Sequence, residues 1–192
     1  MREIVKDFVR LCNSTLPLIE PIYNFGSRSD AEYPDDVMFF KVIYAGKEYY
    51  GADMREGYGV DKILDMHELD LPDNSVGTVL CLDTLEHVEY LRKAMREIHR
   101  VLKPEGFFAV ITLGWDLGWL IHECPKDYWR FTPDAIKSIL ELFTTSFIAY
   151  AGDKKAPHTV AGVALKRPLE RETAEKLEKN LMEWSKKYVN NR

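Results

Sequence analysis

Apolar residues along the chain recur first at helical spacing and then mostly at strand spacing. Ile4, Phe8 and Leu11 share one stripe with Val5, Val9 and Cys12 beside it, so residues 2–13 are expected to form an amphipathic helix, ended by Pro17 and Pro21. The run PIYNFGSRS is a short apolar stretch stopped by Gly26, which suits a buried strand entering a tight turn. In YPDDVMFFKVIYAGK, Pro34 with acids behind it starts a helix and Gly46 stops it. EYYGAD, VDKILD and VGTVLCLD follow as strands, the last nearly continuously apolar, as a strand buried on both faces would be. EYLRKAMREIHRVLK then puts Leu91, Ala94, Met95, Ile98, Val101 and Leu102 on one helical face, with Pro104 to Gly106 as its stop. FFAVITL is a strand, and Thr132 caps a helix that starts at Pro133 and carries Ile136, Ile139 and Leu140. SFIAYAG and TVAGVALKR are two further strands. Leu177, Leu181, Trp184 and Tyr188 give the tail, residues 169–189, helical spacing.

Strands alternating with helices imply a mostly parallel sheet, because a parallel crossover needs about a dozen residues and is usually a helix. The expected fold is therefore α/β, Rossmann-like and doubly wound: seven strands with helices on both faces, in a single domain over residues 1–192. The last two strands have no helix between them, which fits a hairpin and an antiparallel strand near the C-terminal end. Open sheets of this kind bind ligands in the crevice at the carboxyl ends of the strands, where the strand order reverses. Gly26, Asp53, Asp65 and Asp83 should gather there.

Composition narrows the reading. The chain has 192 residues, 46% hydrophobic and 30% charged, which fits one globular domain with a full core. A net charge of -5 provides no general field for a polyanion, so nucleic acid is not the expected partner. The N-terminal stretch mixes charges into its apolar residues, unlike a signal peptide, and no run approaches a membrane span; a cytoplasmic location follows as the expectation. Cys12, Cys81 and Cys124 are scattered without a CxxC, and His122 with Cys124 is one pair only, so neither a disulfide framework nor a metal site is expected.

The stretch GADMREGYGVDKILDMHELDLPDNSVGTVLCLDTLEHVEYLRKAMREIHRVLKPEGFFAVIT resembles the middle of a class I S-adenosylmethionine-dependent methyltransferase of the type 11-like group. The shared pattern is an acidic strand end, D…LP, an apolar strand, LEHV, an amphipathic helix and RVLKPGG. The resemblance covers roughly residues 21–165, and IHECPKDYWRFTPDAIKSIL is similar to a stretch that follows the fifth strand in one branch. It implies S-adenosylmethionine as methyl donor, with Asp53 at the ribose, Asp65 and Met66 at the adenine, Leu82 and Asp83 near the sulfonium, and Met54 among the donor-binding residues. Asn24, Gly26 and Ser27 would then serve the donor's methionine part.

The first loop departs from the family pattern. It reads YNFGSRSDAEYP, with Asn24 where an acid is expected and a single glycine, so the amide oxygen of Asn24 is left to meet the donor's ammonium group without an ionic partner. In IHECPKDYWRFTP, His122, Tyr128 and Arg130 are the types that bind a polar acceptor or remove its proton, with His122 the first choice of base; Glu86 and His87 belong to the LEHV signature. Trp115 and Trp119 line a substrate lid or belong to the core. Transfer to an oxygen or nitrogen of a small-molecule acceptor, such as a saccharide, is expected over transfer to a macromolecule. A member that binds donor without catalysing transfer is the alternative, prompted by the reduced glycine loop. A nicotinamide-dependent oxidoreductase comes last, because FGSRSD lacks GxGxxG.

Overall fold

The computed structural model describes residues 1–29, 34–114 and 126–189. In chain order the elements are α1 (Glu3–Thr15), β1 (Ile22–Phe25), α2 (Pro34–Ile43), β2 (Tyr49–Asp53), β3 (Lys62–Ile63), β4 (Val76–Leu82), a 3-10 turn (Leu85–His87), α3 (Leu91–Val101), β5 (Leu102–Leu113), α4 (Pro133–Ile139), β6 (Thr145–Asp153), β7 (Ala156–Leu165) and α5 (Arg171–Lys187). The strands form one seven-stranded sheet in the order β3-β2-β1-β4-β5-β7-β6. All neighbouring pairs are parallel except β5–β7 and β6–β7. The sheet is thus the mixed, Rossmann-like one that the alternating pattern implies.

Two apolar layers hold the helices on. Ile22, Leu80, Leu82, Phe107 and Ile111 face α1, α2 and α5, where they meet Phe8, Phe40, Leu177 and Trp184. Tyr23, Phe25, Val79, Cys81, Phe108 and Val110 face α3 and α4, against Met95, Ile98 and Ile136. Every residue of β4 is buried, which explains its uninterrupted apolar sequence. The Thr132 hydroxyl accepts the Ala135 N–H at 3.2 Å, so α4 starts with the expected cap and with proline in its first turn.

Three details differ from the periodicity. The β3 strand shrinks to Lys62–Ile63 because it is an edge strand paired only with β2, and both residues are exposed. Pro104 to Gly106 does not separate α3 from the next strand. β5 begins at Leu102, and its pairing with β4 jumps from Val76–Leu102 to Thr78–Phe107, so the breaker residues sit in an irregularity of the strand. Lastly, β7 folds back between β5 and β6, which places the antiparallel strand one position in from the sheet edge.

Strand order reverses between β1 and β4: β2 and β3 lie on one side and β5 on the other. The carboxyl ends of β1, β2, β3 and β4 therefore converge on one crevice.

Candidate functional site

Gly26 leaves β1 with φ 77°, and a Cβ there would stand 2.1 Å from the Thr84 hydroxyl oxygen. Only glycine satisfies both the left-handed backbone and this approach of the β1 turn to the β4 turn. The Thr84 hydroxyl in turn donates to the Leu82 carbonyl at 2.8 Å. Gly26 N–H and Ser27 N–H both donate to the Ala52 carbonyl, at 2.8 and 3.1 Å, and the Ser27 hydroxyl reaches the Gly59 carbonyl at 3.0 Å. These bonds hold the first loop against the end of β2. They also commit the Ser27 hydroxyl proton to the protein.

Two cavities open around this loop. The larger, about 430 Å³, is lined by Asn24, Gly26, Ser27, Leu82 and Asp83, with Val37 and Phe40 of α2 and with Tyr49, Tyr58 and Asp61. The smaller, about 180 Å³, is lined by Gly26, Asp53, Met54, Asp65, Met66, Asp83, Thr84 and His87. Gly26, Arg28 and Asp83 belong to both. All nine residues expected to bind a donor thus line two cavities with a common wall.

Asp53 and Asp65 are built alike. Asp53 Oδ1 accepts the Arg55 N–H at 3.0 Å, and Asp65 Oδ1 accepts the His67 N–H at 2.8 Å, so each carboxylate closes the turn that ends its own strand. Among the described residues, neither Oδ2 receives a hydrogen bond. Asn24 presents a third acceptor. Its amide nitrogen donates to the Tyr49 hydroxyl at 3.2 Å, while Oδ1 is buried with no hydrogen-bond partner among the described residues. An unpaired buried carbonyl costs about 1–3 kcal/mol, so this oxygen is expected to serve a ligand.

Asp83 follows β4 with φ 45°, a left-handed backbone rare outside glycine. Its N–H is held by the Ile111 carbonyl at 2.8 Å. Both of its carboxylate oxygens are taken by Arg2, through Nε at 3.1 Å and through Nη2, and Arg2 Nη1 donates to the Thr159 hydroxyl at 2.6 Å. This acid, on the wall common to both cavities, is therefore already paired with a cation from the start of α1.

Comparison with known proteins bears on the fold and on the central segment. Residues 45–110 match the methyltransferase domain family. A solved S-adenosylmethionine-dependent methyltransferase of Archaeoglobus fulgidus superposes with a TM-score of 0.65 at 16% identity, over 85% of this chain and 94% of that one. Its counterpart from Aquifex aeolicus gives 0.54 at 18% identity, over 85% and 93%. A Haemonchus contortus N-methyltransferase, solved with phosphomonomethylethanolamine and S-adenosylhomocysteine, gives 0.61 at 13% identity, over 84% of this chain and 52% of that one. The fold is therefore the one these methyltransferases share, and the central segment, residues 45–110, matches the methyltransferase domain model. An uncharacterized protein of Methanocaldococcus jannaschii is 46% identical over 48 residues, 25% of this chain. That match spans 21% of the relative's own length.

Within this methyltransferase fold the expected acceptor groups are less gathered than the donor groups. His122, Cys124, Trp115 and Trp119 lie outside the described residues. Tyr128 and Arg130 line neither cavity. The Tyr128 hydroxyl donates to Glu89 at 3.1 Å, and the segment is pinned by its own N–H to the Glu86 carbonyl at 2.7 Å. Arg130 forms a partly buried fork with Asp127, including Nη2 to Oδ2 at 2.7 Å, and this bond pushes its pKa up. His87 does line the smaller cavity. Its Nδ1–H donates to the Lys126 carbonyl at 2.9 Å, which makes Nε2 the acceptor nitrogen of the neutral ring.

Glu86, beside it, is fully buried. One carboxyl oxygen accepts from the Thr112 hydroxyl at 2.7 Å and the other has no partner among the described residues. Burial, then the Asp83 charge, pushes its pKa up to about 8 against the Thr112 bond. The turn after β4 therefore holds a buried carboxyl group that keeps its proton well above the usual carboxylate range. Sequence reasoning missed Arg2, Thr84 and His67. The first two are contacts made across the fold, whereas His67 stands two residues after Asp65 and was open to discovery as a partner for it.

Proposed function

We propose that this chain is an S-adenosylmethionine-dependent methyltransferase acting on an oxygen or nitrogen of a small-molecule acceptor. One observation carries the reading: three oxygens that receive no hydrogen bond among the described residues, Asn24 Oδ1, Asp53 Oδ2 and Asp65 Oδ2, belong to two cavities that share a wall. The methyl donor has three donor groups in the same succession, an ammonium, the ribose hydroxyls and the adenine amino group. Asn24 would hold the first, Asp53 the second and Asp65 the third, with Met54 and Met66 beside the base. When bound, the donor supplies a methyl group activated by a positively charged sulfur.

The residues of this chain contribute orientation and the exclusion of water. Leu82 closes the apolar side of the larger cavity. Asp83, neutralised by Arg2, offers the cation a fixed dipole in place of a full counter-charge. Val37, Phe40, Tyr58 and Val60 extend the larger cavity beyond the residues assigned to the donor, which favours a small acceptor over a macromolecule. His87 is the described side chain of a type and place suited to taking a hydroxyl proton.

A second reading has its own support. Asp83 is locked by Arg2, and neither Tyr128 nor Arg130 reaches the cavities, as a protein that binds the donor without transferring its methyl group would have it. Calorimetric titration with S-adenosylmethionine, S-adenosylhomocysteine and NAD tests the site common to both. Micromolar binding of the first two and none of the third is expected, and no binding of either adenosyl ligand would overturn the assignment. An acceptor screen with small hydroxyl and amine compounds then separates the two readings.

A further inference from the structure

His67 shares the smaller cavity with Asp65, and both of its ring nitrogens are engaged. The Tyr90 backbone N–H donates to Nε2 at 3.2 Å. A backbone amide only donates, so Nε2 bears no proton and Nδ1 bears one. Nδ1–H therefore donates to Asp65 Oδ1 at 2.7 Å, and the backbone N–H of His67 donates to the same oxygen at 2.8 Å. The Tyr90 ring meets the imidazole edge-on, with centroids 5.8 Å apart and planes at 73°. Tyr90 stands immediately before α3, so the imidazole ties the turn after β3 to the start of that helix.

We propose that His67 is a positioning residue: by holding Asp65 through Oδ1 it reserves Oδ2 for the exocyclic amino group of the donor's purine, and so selects 6-amino over 6-oxo bases. This rests on the donor reading above. The Asp65 side chain is 48% exposed, and without the imidazole only the His67 backbone N–H would hold Oδ1, so the carboxylate would keep more freedom for binding to remove. With the imidazole in place the carboxylate is ordered before the base arrives. A 6-oxo purine presents an acceptor to the same oxygen, and two acceptors facing each other repel.

The test is calorimetric titration of wild type, His67→Ala and His67→Asn with S-adenosylhomocysteine and with its 6-oxo counterpart, S-inosylhomocysteine. Wild type is expected to favour the 6-amino ligand. In His67→Ala that preference should fall about tenfold, whereas His67→Asn, which keeps an N–H donor near the place of Nδ1, should retain most of it. Equal weakening of both ligands in His67→Ala, with the preference unchanged, would overturn the proposal and leave a histidine that only supports the fold. Wild type binding the two ligands equally would overturn it as well. Wild type binding neither would instead overturn the donor reading itself.

Discussion

Glu86 offers a quantitative check on the polar arrangement at the end of β4. Replacing it with Gln gives a neutral group of the same shape as the protonated acid, so the variant reproduces one protonation state at every pH. In the fold the carboxyl pKa is pushed up to about 8 by burial and by Asp83, against an ordinary value of 4.5. As pH rises from 4.5 to 8, the unfolded chain has given up this proton while the folded chain retains it, so wild type loses stability across that window and levels off above it. Over about 3.5 pH units at about 1.4 kcal/mol each, the loss is at most roughly 5 kcal/mol.

Glu86→Gln has no such proton to lose. It should match wild type near pH 4.5, exceed it increasingly toward pH 8 and hold a constant advantage above that. Urea denaturation followed by tryptophan fluorescence at pH 5, 6, 7, 8 and 9 measures the difference directly. A difference that stays flat with pH would refute the reasoning, because it would mean that Glu86 is buried as an anion, and a variant less stable than wild type at pH 8 would say the same.

Three further outcomes follow from the cavities. Asn24→Asp places a carboxylate where the unpartnered amide oxygen now stands. It should tighten S-adenosylhomocysteine about three- to tenfold by calorimetry while leaving 5′-methylthioadenosine, which lacks the ammonium, unchanged. Asp53→Asn keeps an oxygen to cap the turn at Arg55 and puts an N–H₂ where the ribose hydroxyls would donate, so affinity for S-adenosylhomocysteine should fall at least tenfold with the melting temperature within a few degrees of wild type. Gly26→Ala meets both the Thr84 side chain and a φ of 77°, and should cost about 2 kcal/mol or more in urea denaturation; adding Thr84→Ala should recover only part of it, because the left-handed φ stays and the Cβ at position 84 would still lie 2.8 Å away.

Much of the architecture was legible because it rests on local pattern. The stripe of Ile4, Phe8 and Val5 became the buried face of α1, and Thr132 followed by Pro133 marked the start of α4. The order of the last two strands was less visible, although a signal existed. TVAGVAL is apolar without interruption and became buried β7, while SFIAYAGD mixes exposure along edge strand β6. Strand ends carrying Asp53, Asp65 and Asp83 were legible as a site because parallel strands must deliver their carboxyl ends to one edge of the sheet. The Arg2–Asp83 pair was not, since it joins residues 81 positions apart and depends on how α1 docks. Tyr128 and Arg130 had the right chemistry for an acceptor site, but residue type says nothing of prior commitments, and Glu89 and Asp127 had taken them.

The two acids at the ends of β2 and β3 show why a structural and a functional role need not compete. A carboxylate has two oxygens, and closing a turn uses one. In both Asp53 and Asp65 the oxygen that accepts the N–H two residues on is Oδ1, and that bond fixes the side-chain torsions for the sake of the turn. Oδ2 is then ordered at no further entropic cost, so a ligand that donates to it gains the bond without having to immobilise the side chain. Asn24 reaches the same condition differently, its amide nitrogen anchored on Tyr49 and its oxygen left over. Capping thus prepares the binding groups, and for that reason substitutions that spare the cap while changing the second oxygen should separate affinity from stability.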